Sequence, residues 1–378
     1  MKILIVGGGI GGLCAAIALH RRGHAVTLLE RAPAFAPVGA GIILAPNAAR
    51  LLTALGVALD RDGQQLPGLT VQRADGRCLQ RLDMAGMAAQ HGPMWSMARA
   101  ELHAALQAAL PSAVDVRLGS SVTAIAPTPE VVVTSHGHAE AYDFVVGADG
   151  LHSTVRALTC GEVALRYSGT TCYRGITTNL GFRDAIEAWG GAARIGVVPL
   201  SHERLYYFLV HQAPPQAAAL SEFGSVFGGF GPALTRVITA LAHGGPSLHH
   251  DLIELERPLW SPIGQPRIAL LGDAAHAMTP NLGQGAAMAI EDAVALAAAL
   301  APGVDGAVAR YIKLRHRRVR SMQLNSRRLG NAAHWRNAVA QWALHTAMRA
   351  VPARVNRWQY HALIRPGLAL LPSILEAP

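Results

Sequence analysis

The sequence predicts an α/β fold in which a parallel, ligand-binding sheet is interrupted by a second sheet and followed by helices. Three observations carry this. The chain opens on an apolar run, Lys2 to Val6, that leads into Gly7-Gly8-Gly9-Ile10-Gly11-Gly12 and then a helical stretch, Leu13 to Arg22. A junction of the same kind returns at Arg267 to Val294, where Ile268 to Leu271 ends at Gly272-Asp273, a loop carries Pro280, Gly283 and Gly285, and an Ala-rich helix follows. Between Arg166 and Arg257 there is no such junction, and the runs alternate as in a mixed or antiparallel sheet. Continuous apolar runs suit strands buried on both faces, whereas alternation suits strands with one solvated face.

Composition bounds the reading. With 378 residues and 51% hydrophobic side chains the chain can bury a large core in two or three domains. The longest apolar stretch, Ala286 to Leu300, is broken by Glu291-Asp292, short of the roughly 20 apolar residues of a membrane helix. The N-terminus starts on a strand pattern with no basic region and apolar leader, so a cytoplasmic location is expected. Cys14, Cys78, Cys160 and Cys172 form no Cys-x-x-Cys pair, and the 17 histidines show no zinc spacing; no metal is expected. From Arg310 onward thirteen Arg or Lys face the single acid Glu376, while the rest of the chain carries 20 cations against 23 acids. That basic end reads as a solvated helical face, as a means of steering anions, or as a peripheral contact with an anionic membrane near the apolar Ala362 to Leu371. No nucleic-acid partner is expected, because no recognition fold or aromatic platform accompanies the charge.

In chain order, the first turn is GxGxxG between a strand and a helix. Gly7 permits the tight turn, Gly9 allows backbone to approach a pyrophosphate, and Gly12 lets the helix pack on the strand. The next strand, Ala25 to Leu29, ends at Glu30, where a carboxylate can take the ribose hydroxyls of an adenosine, with Arg31 beside it on the adenine side. This is a Rossmann-like dinucleotide site. Leu66 to Leu82 reads as two strands around Asp75-Gly76, suited to a type I′ turn, and as a first excursion into the second sheet. Val114 to Leu118, Val122 to Ile125 and Val131 to Val133 read as strands that continue the first sheet. Phe144 to Gly147 is a strand, followed by Ala148-Asp149-Gly150 and a helix start capped by Ser153. Gly224 to Gly231, six of whose residues are Gly or Phe, reads as a mobile loop. In the run after Leu271, Asp273 can hold a polyol hydroxyl. Pro280 makes Thr279 extended, and Gly283 and Gly285 leave N–H groups uncovered at the positive end of the helix. His276 in that run reads as a structural hydrogen-bonding residue.

These motifs, in this order, resemble the FAD-dependent aromatic hydroxylases of the p-hydroxybenzoate hydroxylase type, the single-component flavoprotein monooxygenases. The resemblance implies a Rossmann-like FAD-binding domain (1–65, 96–160 and 262–330), an inserted mixed β-sheet substrate domain (66–95 and 161–261) and a C-terminal helical segment (331–378). It implies bound FAD, with Gly7, Gly9, Gly11, Gly12, Glu30 and Arg31 on the adenosine and pyrophosphate side. Gly41 and Ile43, from the segment Gly39 to Asn47, run under the flavin. Arg99 reaches the pyrophosphate and ribityl region, and Val122 offers its backbone to adenine. Asp149 tightens the loop facing the first glycine turn. Asp273 holds the ribityl chain, and Pro280, Gly283, Gln284, Gly285 and Ala286 cradle the isoalloxazine. The implied activity is hydroxylation of an electron-rich aromatic or heteroaromatic ring through a flavin C4a-hydroperoxide, with NADH or NADPH and O2 as co-substrates. The flavin would then carry the chemistry, with no side chain assigned as catalyst. Alternatives are a flavin epoxidase, another FAD oxidoreductase of this fold, or a sensor that binds FAD without turnover. The run Ala274 to Met288 with Ser168 to Cys172 is similar to alkylquinolone, salicylate, urate and carotenoid-epoxide enzymes, so the substrate stays open, as do monomer and homodimer.

Polar or aromatic residues set in apolar strands are the candidates for substrate contact: Arg174, Arg194, Tyr206, Tyr207 and His211. Similar positions in urate-hydroxylating relatives favour Arg194 and Tyr206. Arg194 to Leu200 and Arg204 to Val210 flank Ser201-His202-Glu203. If Leu200 pairs with Arg204, Arg194 and Tyr206 share a face, with Asn281 approaching from the glycine loop; a loop one residue longer would substitute Tyr207. In this reading Arg194 holds a carboxylate or ring oxygen at two points, and the phenol orients a hydroxyl.

Overall fold

The structure, a computed structural model, describes residues 1–35, 39–127, 130–242 and 247–375. Five parallel strands form the first sheet, in the spatial order Ile268–Leu270, Phe144–Gly147, Lys2–Val6, Ala25–Leu29 and Asp115–Arg117. The central runs are fully buried because helices cover the sheet: Ile3, Leu4, Ile5, Phe144, Val145 and Val146 have no exposed surface. The first helix starts at Ile10, earlier than the expected Leu13, so the glycine turn supplies its first turn and its unpaired N–H groups. A Cβ on Gly12 would lie 1.9 Å from the Gly7 carbonyl oxygen, and one on Gly11 would lie 2.7 Å from Leu271 Cδ1. Only glycine allows that helix to approach the strand turn and the helix Gly285–Leu300 together.

The second sheet has seven strands, in the order Leu248–Leu255, Leu165–Thr178, Arg204–Gln212, Ala193–Leu200, Ala185–Trp189, Gly68–Arg73 and Cys78–Asp83. It is antiparallel except where Ala185–Trp189 runs parallel to Gly68–Arg73, the expected excursion of the earlier hairpin. The hairpin turn is not type I′: Gly76 has φ +86° but Asp75 is not left-handed, and the Asp75 carboxylate accepts the Arg77 N–H at 3.0 Å. That side-chain acceptor closes a longer loop with an irregular register at Val71/Gln72. Nor does Val131–Ser135 extend the first sheet. It pairs with Val122–Pro127 and His138–Tyr142 in a separate three-stranded antiparallel ladder, because local hairpin pairing captures it. Gly224–Phe227 is a helical turn, and Phe227 and Phe230 bury against Tyr207 and Leu209 in a core behind the second sheet. The strands Ala185–Trp189 and Leu248–Leu255 were not assigned from the sequence.

The basic end is helical over Ala307–Ala333, Ala338–Ala350, Ala353–Leu368 and Pro372–Leu375; residues 376–378 of the expected segment lie outside the described residues. Its first helix is not simply a solvated face. Arg315 is buried and donates to Asp292 at 2.7 Å and to Glu291 at 2.6 Å, and Arg318 donates to Glu291 at 2.9 Å. The stretch Ala362 to Leu371 also packs inward, with Ile364 fully buried. No helix among the described residues is long and apolar enough to cross a membrane.

Two consequences of the buried ion cluster can be measured. Arg315→Leu leaves two buried carboxylates short of a cation and should lower unfolding stability by about 3–5 kcal/mol in urea titrations. Burial alone would push the carboxyl of Asp292 up, but His276 and Arg315 outweigh it and hold it down at about 2; the same balance, with Arg315 and Arg318, depresses Glu291. Both groups are depressed in the folded state, so their contribution is present above the unfolded value of about 4 and is lost as pH falls towards 2. Melting temperature followed over that window should fall less steeply in Arg315→Leu than in the parent.

Candidate active site

A cleft of about 430 Å³ lies where the two sheets meet. One side is built from Gly9, Ile10 and Gly11, from Ala40 to Ile43, from Arg99, Gly150 and Leu151, and from Gly272, Asp273, Pro280, Gly283, Gly285 and Ala286. The other is the face of the second sheet that carries Cys172, Arg174, Glu187, Arg194, Tyr206, Phe208, Val210, His250 and Leu252.

The first side fits a dinucleotide flavin on grounds internal to this chain. Positive helix ends open on it at Ile10 and Gly285, and a Cβ on Gly9, Gly283 or Gly285 would meet nothing within 4 Å, so backbone N–H groups there are uncovered. Gly283 is left-handed at φ +62° and Thr279 is extended at φ −61°, ψ 147°, as the Pro-Gly pattern requires. Asp273 is exposed to the cleft, and among the described residues neither its carboxylate nor the Arg99 guanidinium has a hydrogen-bonding partner in the protein. An uncommitted acid and an uncommitted base on either side of open N–H groups match a polyol and a pyrophosphate. Gly41 has a second duty: a Cβ there would lie 2.4 Å from the Tyr206 side chain, so the strand Gly41–Leu44 admits that ring only as glycine.

Several expected cofactor residues do not line this cleft. Asp149 does not line the cleft; its oxygens accept the Ser153 hydroxyl at 2.5 Å and the Val155 N–H at 3.0 Å, closing the start of a helix. The loop it tightens does press on the first glycine turn, where a Cβ on Gly7 would lie 2.5 Å from the Ala148 oxygen. Gln284 points inward and accepts from Asn47 at 3.1 Å. Glu30 accepts from Gly8 N at 2.8 Å and from Ala32 N at 2.9 Å, holding the glycine turn, while Arg31 is exposed and Val122 is buried in its ladder. His276 donates to Asp292 at 2.5 Å and is structural, as expected.

On the second face the hairpin takes the shorter register: Leu200 pairs with Arg204, Val198 with Tyr206 and Arg194 with Val210. Arg194 and Tyr206 therefore share the cleft face. Tyr207 and His211 do not; the alternation sends them to the core behind, where Tyr207 bonds to Ser247 at 2.6 Å and His211 stacks near Tyr173. Asn281 reaches Arg194 as anticipated, but this removes the two-point hold. Arg194 Nη2 donates to Asn281 at 2.7 Å and Nη1 to Glu187 at 2.9 Å, leaving only Nε buried without a partner. Arg174 contacts His250 Nε2 through a terminal nitrogen. Arginine has no acceptor, so His250 must be neutral there, and burial reinforced by the Arg174 charge brings its pKa down to about 4. The Tyr206 hydroxyl makes no hydrogen bond among the described residues, and burial pushes its pKa up, so it stays a proton donor. Glu187 and His250 had gone unnoticed in the sequence, since both sit on strands it did not reveal.

Comparison with known proteins agrees with the geometry. The FAD binding domain family model matches residues 1–204 and 244–323. The chain is 34% identical over 390 residues to 2-heptyl-3-hydroxy-4(1H)-quinolone synthase of Pseudomonas aeruginosa, covering 97% of this chain and 98% of that one. It is 35% identical to aurachin C monooxygenase/isomerase of Stigmatella aurantiaca, over 94% of this chain and 97% of the relative. The structure of Klebsiella pneumoniae HpxO complexed with FAD and uric acid superposes with a TM-score of 0.85 at 25% identity, covering 100% of this chain and 97% of that one. This chain belongs to the FAD binding domain family and, within it, to the FAD-dependent aromatic monooxygenases.

If Asp273 is the free acceptor and Asp149 a turn residue, the two should separate experimentally. Asp273→Ala should weaken FAD retention about tenfold in ultrafiltration of the yellow protein, with melting of the apoprotein unchanged. Asp149→Ala should instead lower the apoprotein's unfolding stability by about 1 kcal/mol.

Proposed function

We propose that this monooxygenase hydroxylates a neutral, electron-rich heteroaromatic ring that bears an apolar substituent, of the alkyl-4-quinolone type, at the expense of NADH or NADPH. The observation that carries the reading is how the guanidinium groups of the substrate wall are engaged. Arg194 is offset by Glu187 and tethered to Asn281, and Arg174 is engaged by neutral His250. A substrate carboxylate would have to displace protein partners from both guanidinium groups. What this wall leaves uncommitted is the Tyr206 hydroxyl and the charge of Arg174, since Arg174 Nε and Arg194 Nε lack partners but are buried away from the cleft surface. They suit one or two ring heteroatoms or oxo groups. Around them Cys172, Phe208, Val210 and Leu252 make an apolar surface suited to an alkyl arm.

Bound FAD would supply the electron transfer and the activation of dioxygen. The chain's own residues would do three things. Tyr206 donates its hydroxyl to a ring oxygen and fixes which carbon faces the flavin side of the cleft. The charge of Arg174, which no carboxylate offsets among the described residues, favours electron density on the same ring oxygen, which raises the nucleophilicity of the neighbouring carbon. The apolar wall and the loop Pro280–Leu282 exclude water from the reacting face. The 2-heptyl-3-hydroxy-4(1H)-quinolone synthase relative, matched along nearly the whole chain, supports this substrate class over urate or salicylate.

Among 2-alkyl-4-quinolones, salicylate and urate, the quinolones should give the largest stimulation of NAD(P)H oxidation coupled to hydroxylated product. Preference for urate or salicylate would sink the substrate reading. With the preferred substrate, Tyr206→Phe should lower kcat/KM about 5- to 15-fold at unchanged FAD content, whereas Tyr207→Phe should behave like the parent. His250 is neutral well below neutrality, so kcat/KM should show no ionisation of this histidine between about pH 5 and 8.

A further inference from the structure

Besides the apolar side chains they bury, the last helices carry apolar and basic side chains on their outer faces. In Ala338–Ala350, Val339, Trp342, Ala343, Thr346, Ala347 and Ala350 recur at helical spacing and are all exposed, Val339 by 73% and Trp342 by 67%. The opposite face, through Leu344 and Met348, packs beside Leu79 and Trp189. In Ala353–Leu368 the inward face is Asn356, Tyr360, Ile364 and Gly367, and the outward face presents Arg354, Arg357, Trp358, Ala362 and Arg365, with Trp358 68% exposed. Between residues 331 and 375 the sequence has five arginines and no Asp, Glu or Lys. Unlike Arg315, Arg318 and Arg327, none of those five pairs with a carboxylate among the described residues.

We propose that this face docks on a bilayer surface rich in anionic phospholipid. Tryptophan at the headgroup level, small apolar residues between, and arginines at the rim are what a helix lying in a membrane interface requires. The charge singles out the occupant. A second copy of this chain on the same face would oppose these exposed arginines to their own counterparts, whereas an anionic surface balances them. The apolar stretch Ala362 to Leu371 is not what inserts, since its bulky residues face the protein. An alkyl-bearing substrate would partition into the same membrane, which gives docking a purpose, but the docking can be tested without turnover.

The FAD-loaded full chain is sedimented with vesicles of phosphatidylcholine alone and of phosphatidylcholine with phosphatidylglycerol. It should bind the anionic vesicles, with a blue shift of tryptophan emission, and release at high salt. Arg354→Gln and Arg357→Gln should each weaken binding about fivefold. Trp342→Ser should remove most of the blue shift, with FAD content and circular dichroism unchanged in all three variants. Equal binding to both vesicles, or to neither, overturns the proposal. So does a concentration-dependent dimer abolished by Trp342→Ser, which makes the face a self-interface. Polyglutamate that binds as tightly as anionic vesicles also overturns it, pointing to an acidic protein partner instead.

Discussion

The placement of the cofactor side of the cleft depends on one buried cluster of charge. Asp292 accepts the Gly272 N–H at 3.0 Å and so fixes the Gly-Asp turn from which Asp273 projects. Its neighbour Glu291 accepts Asn47 Nδ2 at 2.8 Å, and Asn47 also donates to Gln284, the residue before the positive end of the helix. Arg315 and Arg318 satisfy the remaining carboxylate oxygens from the next helix. Even the C-terminal helices answer to this cluster, because a Cβ on Gly367 would lie 2.1 Å from Glu291 Oε1. An apolar core of equal volume could be as stable, but it would not specify where two loops and a helix end meet. The Asn47 segment, the Gly-Asp turn and the glycine loop are distant in sequence and are brought into one geometry by a few directional bonds.

What was legible in the sequence follows from this division between local and remote causes. The strand-to-glycine turns, the extended Thr279 and the hairpin register each depend on a few adjacent residues, and each stands as expected. Direction at a loop was less legible. Gln284 and Asp149 sit in motifs expected to hold a cofactor, yet their side chains turn inward, since nothing local distinguishes an acceptor for a ligand from an acceptor for a buried N–H. The two-point role read into Arg194 failed for a related reason: Glu187, its partner, lies on a strand whose pairing is decided elsewhere. Asp75-Gly76 shows the same limit at short range, where the carboxylate caps the turn and keeps Asp75 out of the left-handed region. The basic end misled in the opposite direction, because a count of charges cannot separate buried Arg315 from exposed Arg354.

The second sheet separates two environments with one strand. Along Arg204–Gln212, Tyr206, Phe208 and Val210 face the cleft, while Leu205, Tyr207 and Leu209 belong to the core behind. A change on one parity alters the cleft wall, and a change on the other alters the core behind it. Gly41 and Gly196 belong to this arrangement: a Cβ on Gly196 would lie 1.9 Å from the Phe208 ring, so the aromatic residues of the cleft lie flat on glycine backbone. The rings of the wall are therefore held in place, and of its two arginines only Arg194 is offset by a carboxylate. Rigid rings fix the plane of a bound aromatic compound. A single uncommitted hydroxyl would fix its rotation within that plane without requiring it to be an anion. Selectivity would then come from where the Tyr206 hydroxyl stands relative to Arg174 and Arg194, which is geometry set by strand register.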